Sequence, residues 1–167
     1  MKHKKTYNGI KGAENSMALL NYTTKISVYK TLGEIQETLA KHGAKKIVFD
    51  YNDMGNVQAL LFSINTIHGE RVVKLPANIQ AIFETLKQQK KEGKIKINID
   101  YSQAERVAWR IIKDWVDIQM AILETQMVQL DEIFLPYFID KTGRTYFQAY
   151  QENQLYIGTT EGENKNV

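Results

Sequence analysis

The chain has 167 residues, 43% of them hydrophobic and 25% charged, with 22 Lys and Arg against 19 Asp and Glu for a formal charge of +3. That length suits one domain with a real core, the composition is that of a folded protein, and so small a charge does not by itself mark a nucleic-acid binder. The absence of cysteine excludes a disulfide scaffold, thiol chemistry and cysteine-ligated zinc or iron–sulfur centres, and fits a reducing cytoplasm.

Residues 1–16 read as a loose arm, basic at Lys2-His3-Lys4-Lys5 and without the apolar stretch of a signal peptide. Residues 22–28 alternate and are rich in threonine and β-branched side chains, which predicts a strand. Thr31 with Glu34 makes a capping box for a short helix carrying Leu32, Ile35 and Leu39 on one face, and Gly43 stands where that helix should stop. Strands are expected over 44–51, 57–65 and 70–75. They are joined by the turn residues Asn52-Asp53-Met54-Gly55-Asn56 and His68-Gly69, and the near-continuous apolar run of 57–65 suits a central strand. Pro76 ends the third, and a helix over 77–91 presents Ile79, Ile82, Phe83 and Leu86. Lys87, Lys90, Lys91, Lys94 and Lys96 form a basic connector broken by Gly93.

One long helix is then predicted over 102–138, opened by a Ser102/Glu105 capping box. Its two apolar stripes, through Val107, Ile111, Trp115 and Ile118 and through Trp109, Ile112, Val116, Met120 and Leu123, merge into an arc of roughly 200°. An arc that wide is buried on two sides, so the helix either runs through the middle of the fold or forms an interface, and the reading that follows is a homo-oligomer whose long helix forms both core and interface. Asp140-Lys141-Thr142-Gly143-Arg144 makes a turn between short aromatic segments, and 158–167 reads as a disordered tail. The fold class is α+β: an antiparallel sheet in a β-α-β-β-β-α unit packed against one long C-terminal helix, within a single domain over 17–157. No apolar run reaches the length of a membrane span.

The inventory for catalysis is thin. The three histidines are scattered in an arm, at a helix end and in a turn, and no metalloprotease, phosphate-loop, dinucleotide or serine-elbow motif is present. Asp50 and Asp53 flank a turn but supply too few oxygens for calcium or magnesium. A non-enzyme without metal or cofactor is the reading that follows. The polar arc of the long helix is more informative. Arg106, Arg110 and Lys113 lie in its first half and Asp117, Glu124, Asp131 and Glu132 in its second, against the preference of the helix dipole. An anionic ligand across the three cations accounts for that order; pairing of Arg110 with Asp114 and of Lys113 with Asp117 accounts for it without one. Arginine suits phosphate through its fork of donors, Trp109 either stacks on a base or fills the core, and Arg144 with Tyr146 supplies a second cation beside an aromatic ring. The lysines of 87–96, the basic arm and several tyrosines support nucleic-acid binding as the alternative. The order helix–three strands–helix is also that of a double-stranded RNA-binding domain.

Met17-Ala18-Leu19-Leu20-Asn21-Tyr22-Thr23-Thr24, Lys41-His42-Gly43-Ala44, Leu75-Pro76-Ala77-Asn78, the run from Arg106 to Val116 and Phe134-Leu135-Pro136-Tyr137 resemble a group of small phage and prophage proteins of Gram-positive hosts, over about 17–150. The resemblance implies action in the host cytoplasm. It implies either counter-defence, by sequestering a signalling nucleotide as the Thoeris-countering sponges do or by inhibiting a host defence protein directly, or an accessory part in phage replication or recombination. It carries over no binding residue.

Overall fold

In the computed structural model, described over residues 17–152, the chain opens with a turn where a strand was predicted. Asn21 adopts a left-handed backbone (φ 61°) in a turn that runs through 20–23, and α1 already begins at Val28, which leaves the predicted strand no room. The polar backbone of 17–24 is satisfied instead by two buried glutamines. Gln89 accepts from the Leu19 amide at 2.9 Å and donates to the Met17 carbonyl at 3.3 Å, and Gln103 donates to the carbonyls of Tyr22 and Thr24 at 2.8 and 3.0 Å. Buried backbone groups must find partners, and here side chains supply them.

Helix α1 (Val28–Lys41) starts earlier than predicted because Ser27, not Thr31, is its cap, accepting from the Lys30 amide at 3.2 Å. Thr31 is buried and returns its hydroxyl to the Ser27 carbonyl. Leu32, Ile35 and Leu39 form the buried face, and Gly43, at φ 91°, ends the helix in a conformation that costs glycine nothing.

Strands β1 (Lys46–Tyr51), β2 (Val57–Thr66) and β3 (Gly69–Pro76) form an antiparallel sheet in the order β1-β2-β3. Asn52 builds the first turn by accepting from the amides of Met54 and Asn56. One sheet face, with Ile47, Phe49, Leu60, Phe62, Val73 and Leu75, meets the helices. Segment 138–139 covers the outer edge of β3, where Phe138 bridges Val73 and the Ile139 amide donates to the Val72 carbonyl at 3.0 Å.

Helix α2 (Ile79–Lys91), capped by Asn78, packs on α3 (Tyr101–Glu124). The cap of α3 is Asp100, which accepts from the Gln103 amide at 2.7 Å, so the Ser102/Glu105 box is not used. The helix also stops well short of 138. Gln126 is left-handed (φ 58°), and α4 (Leu130–Phe134) and a 3-10 turn (Leu135–Tyr137) follow as separate elements. The break folds Phe134 back to meet Phe62 and Trp115 edge-on at 5.6 and 5.8 Å. A continuous helix would carry that ring roughly 15 Å beyond the end of α3.

The wide apolar arc of α3 is filled from both sides within one chain. Ala104, Val107 and Ala108 meet Ile79, Leu86 and Ile95, while Trp109, Val116 and Met120 join the core between sheet and α1. Its width therefore does not require a second copy. The last element is α5 (Tyr146–Gln151), capped by Thr145. The fold is α+β, with three strands where four were expected, and among the described residues no helix is long and apolar enough to cross a membrane. The expectations for 1–16, 153–157 and 158–167 fall outside the described residues.

Candidate functional site

Helices α1 and α3 run in the same direction, as the rungs between them show. Glu34 pairs with Arg110, the Thr38 hydroxyl reaches Asp117 at 3.3 Å, and His42 meets Glu124 at 2.9 Å. Both helices thus begin at the same end of the molecule, where their positive dipole ends lie and where Ser27 and Asp100 each take one first-turn amide.

A cleft of about 290 Å³ opens at that end. Lys25 and Ser27 line it just before α1, Tyr29 in its first turn, Gly55 and Asn56 from the β1–β2 turn, and Ser102, Glu105 and Arg106 from α3. The Arg106 guanidinium is held by neutral oxygens, donating to Ser102 Oγ at 2.8 Å and to Gln103 Oε1. Gln103 thereby ties Arg106 to the turn at 22–24, the same backbone it satisfies. Neither Lys25 nor Arg106 has a carboxylate within 4.0 Å among the described residues, so two cations sit beside two positive helix ends. Tyr29 stands out from the rim, 71% exposed. Burial pushes the Glu105 carboxyl up and the Arg106 charge opposes that shift, so Glu105 takes up a proton more readily than an ordinary carboxylate.

The structure separates the six side chains that the sequence grouped. Arg106 lines the cleft. Arg110 is spent on Glu34 across the helix pair, not on Asp114, and Lys113 is spent on Asp117. Trp109 is fully buried and donates its indole N–H to the Val57 carbonyl at 3.3 Å, which makes it a core residue. Arg144 closes the C-terminal turn by pairing with Asp140 at 3.2 Å and Glu152 at 2.6 Å, and Tyr146 is the first residue of α5. The Thr142 hydroxyl and the amides of 142 and 144 hold the Asp140 carboxyl down at about 2, with Arg144 adding to them.

Two of the connector lysines also have partners. Lys87 lies over the Phe83 ring at 4.7 Å, and Lys94 pairs with Glu92 at 2.8 Å. Asp50 accepts from Gln58, and no cluster of acidic or histidine side chains suited to a metal occurs among the described residues. Sequence reasoning missed Lys25, Tyr29 and Gln103. The available signal was Ser27, a good cap immediately before Val28-Tyr29-Lys30, which would have placed a helix start beside Lys25.

No family model, no curated protein and no solved structure matches this chain.

Proposed function

We propose that the protein is a non-enzymatic binding protein that captures a small phosphate-bearing nucleotide in the cleft at the shared start of α1 and α3. One observation carries the reading: Lys25 and Arg106 converge there, neither with a carboxylate within 4.0 Å among the described residues, near the starts of two parallel helices, with Glu105 the one acidic group in the lining. Anions are stabilised at such ends by free backbone N–H groups and by the dipole. Arg106 is pre-aimed by Gln103 and offers a planar fork for phosphate oxygens. The cleft is at the small end for ligand pockets, which run from about 300 Å³ upward. It therefore takes phosphate and sugar, and the base lies over the Tyr29 ring outside. In the phage setting implied by the resemblance above, such capture removes a host defence signal in the host cytoplasm.

The test is to incubate purified protein with lysate of cells whose nucleotide-based defence is activated, wash and denature it, and identify released small molecules by mass spectrometry. A stoichiometric nucleotide, lost in Lys25→Ala/Arg106→Ala and retained in Arg110→Ala, is the expected result. Protein that comes out empty at concentrations where weak binding would register discards the reading.

The exposed Lys90 and Lys91 in the last turn of α2, with Lys87 and Lys96 nearby, favour nucleic-acid binding as the second reading. Neutralising them would then flatten a steep salt dependence, whereas the cleft variants would leave it unchanged.

A further inference from the structure

The two edges of the sheet are finished differently. Segment 138–139 covers β3, while β1 pairs only with β2 among the described residues. An open edge is a template for another strand, and proteins usually guard it with charged side chains, lysine above all, with a proline, an inward-pointing charge or a bulge. Lys46 to Asp50 carries no proline, its inward-facing side chains are Ile47 and Phe49, and its register shift falls only at the Asp50/Tyr51 step. Its one lysine, Lys46, is exposed and lies 3.7 Å from Glu70, a loose surface pair that exchanges readily for another carboxylate.

The side chains along this edge are complementary to themselves. Lys46, Val48 and Asp50 alternate onto the sheet face away from the helices, with Val48 56% exposed between opposite charges two residues to either side. When a strand of this pattern meets its own copy antiparallel, with Val48 facing Val48, each Lys46 comes opposite the partner's Asp50. Opposite charges in directly facing positions stabilise a strand pair, and like charges there destabilise it. On the helix-side face the same register sets Ile47 against the partner's Phe49. Both are half-buried and packed against the core, so their open sides become covered. The rows Leu75–Leu60–Phe49 and Ile47–Phe62–Val73 then join end to end across the axis. A one-residue slip would turn apolar side chains to the wrong face and unmatch both charge pairs, so the register is specified.

We propose that two copies of this chain associate along β1, antiparallel about a two-fold axis at Val48, to make one continuous six-stranded sheet. Such a contact is isologous, the same patch serving both sides. A foreign peptide strand would use the free backbone groups but would have no need of a charge pattern symmetric about Val48. The interface is short and belongs with weak, concentration-dependent contacts.

Sedimentation velocity on the full chain, from about 1 to 500 μM to span weak affinities, tests this by charge exchange. Wild type should dimerise as concentration rises. Lys46→Asp alone sets Asp against Asp, Asp50→Lys alone sets Lys against Lys, and each should weaken dimerisation ~10-fold or more. The two single variants mixed in equal amounts should form a heterodimer, and Lys46→Asp/Asp50→Lys should dimerise like wild type. Recovery on mixing also shows that neither variant failed to fold. Amide exchange over residues 46–50 should slow as wild type is concentrated. A wild type that stays monomeric, single variants that dimerise undiminished, or a mixture that stays monomeric overturns the proposal.

Discussion

The two ends of the α1–α3 pair solve opposite electrostatic problems. At the C-terminal end the dipoles are negative, and His42 answers them, with Nδ1 at 2.7 Å from the Thr38 carbonyl and Nε2 at 2.9 Å from Glu124. At the N-terminal end the dipoles are positive and Asp100 caps α3, yet Lys25 and Arg106 also sit there, Arg106 hydrogen-bonded to neutral oxygens with only the partly buried Glu105 as an acid in the cleft. At the first end one cation answers both the dipoles and the Glu124 carboxylate. At the second two cations outnumber the acid in the cleft, and a bound anion would balance them. Between them, Glu34–Arg110 and Lys113–Asp117 neutralise the middle of the pair.

Four substitutions break or sharpen this contrast. Trp109→Ala removes the largest fully buried side chain of the core beneath both helices and should cost about 3–5 kcal/mol in urea denaturation. A loss below ~1 kcal/mol, typical of a surface site, would mean the indole is not core. Gln103→Ala strands the carbonyls of Tyr22 and Thr24 and frees the Arg106 guanidinium. It should cost about 1–3 kcal/mol and weaken nucleotide capture too; capture at wild-type strength would show that Arg106 needs no positioning. Arg110→Ala leaves Glu34 without its cation at a half-buried position. Its expected cost is about 1–2 kcal/mol with capture intact, and loss of capture would return Arg110 to the ligand.

His42→Gln is the mildest, at a few tenths to about 1 kcal/mol, and its signature is pH. The Thr38 carbonyl, with Glu124 adding, raises the His42 pKa above its usual 6.5 against the pull of burial and Lys41. Because the folded value is the higher one, the protonated ring contributes its full stabilisation below 6.5, and that contribution fades as pH rises through the raised value. The stability gap between wild type and His42→Gln should therefore be largest in mild acid and close as pH rises through the raised value. A gap independent of pH would show that the ring acts by packing.

Local chemistry carried much of the fold. Alternation and turn residues placed the three strands within two residues, Gly43 marked the end of α1, and the Ile79-to-Leu86 face located α2. What failed depends on groups distant in sequence. Residues 22–28 have the composition of a strand, but the carbonyls of Tyr22 and Thr24 are taken by Gln103, on a helix further along the chain. The end of α3 was hidden because Leu130 and Phe134 are core residues on either count, so the apolar period runs through the break, and no glycine or proline announces Gln126. At the site, the reversed charge order of α3 drew attention to Arg106, which lines the cleft. Glu34, which claims Arg110, comes from another helix and leaves no mark in the sequence around Arg110.

The parallel pairing of α1 and α3 also constrains how the protein becomes functional. Glu34 and Arg110 stand 76 positions apart, with the whole sheet and α2 between them. Contacts that remote form late, since the intervening chain must be ordered before they repay its loop-closure entropy. No fragment ending before α3 can hold a cleft, and an unfolded chain retains no remnant of it. Under the proposed function, ligand capture would be a readout of the complete fold, and a nucleotide at 100 times its dissociation constant should stabilise the protein by about 2.7 kcal/mol through mass action alone.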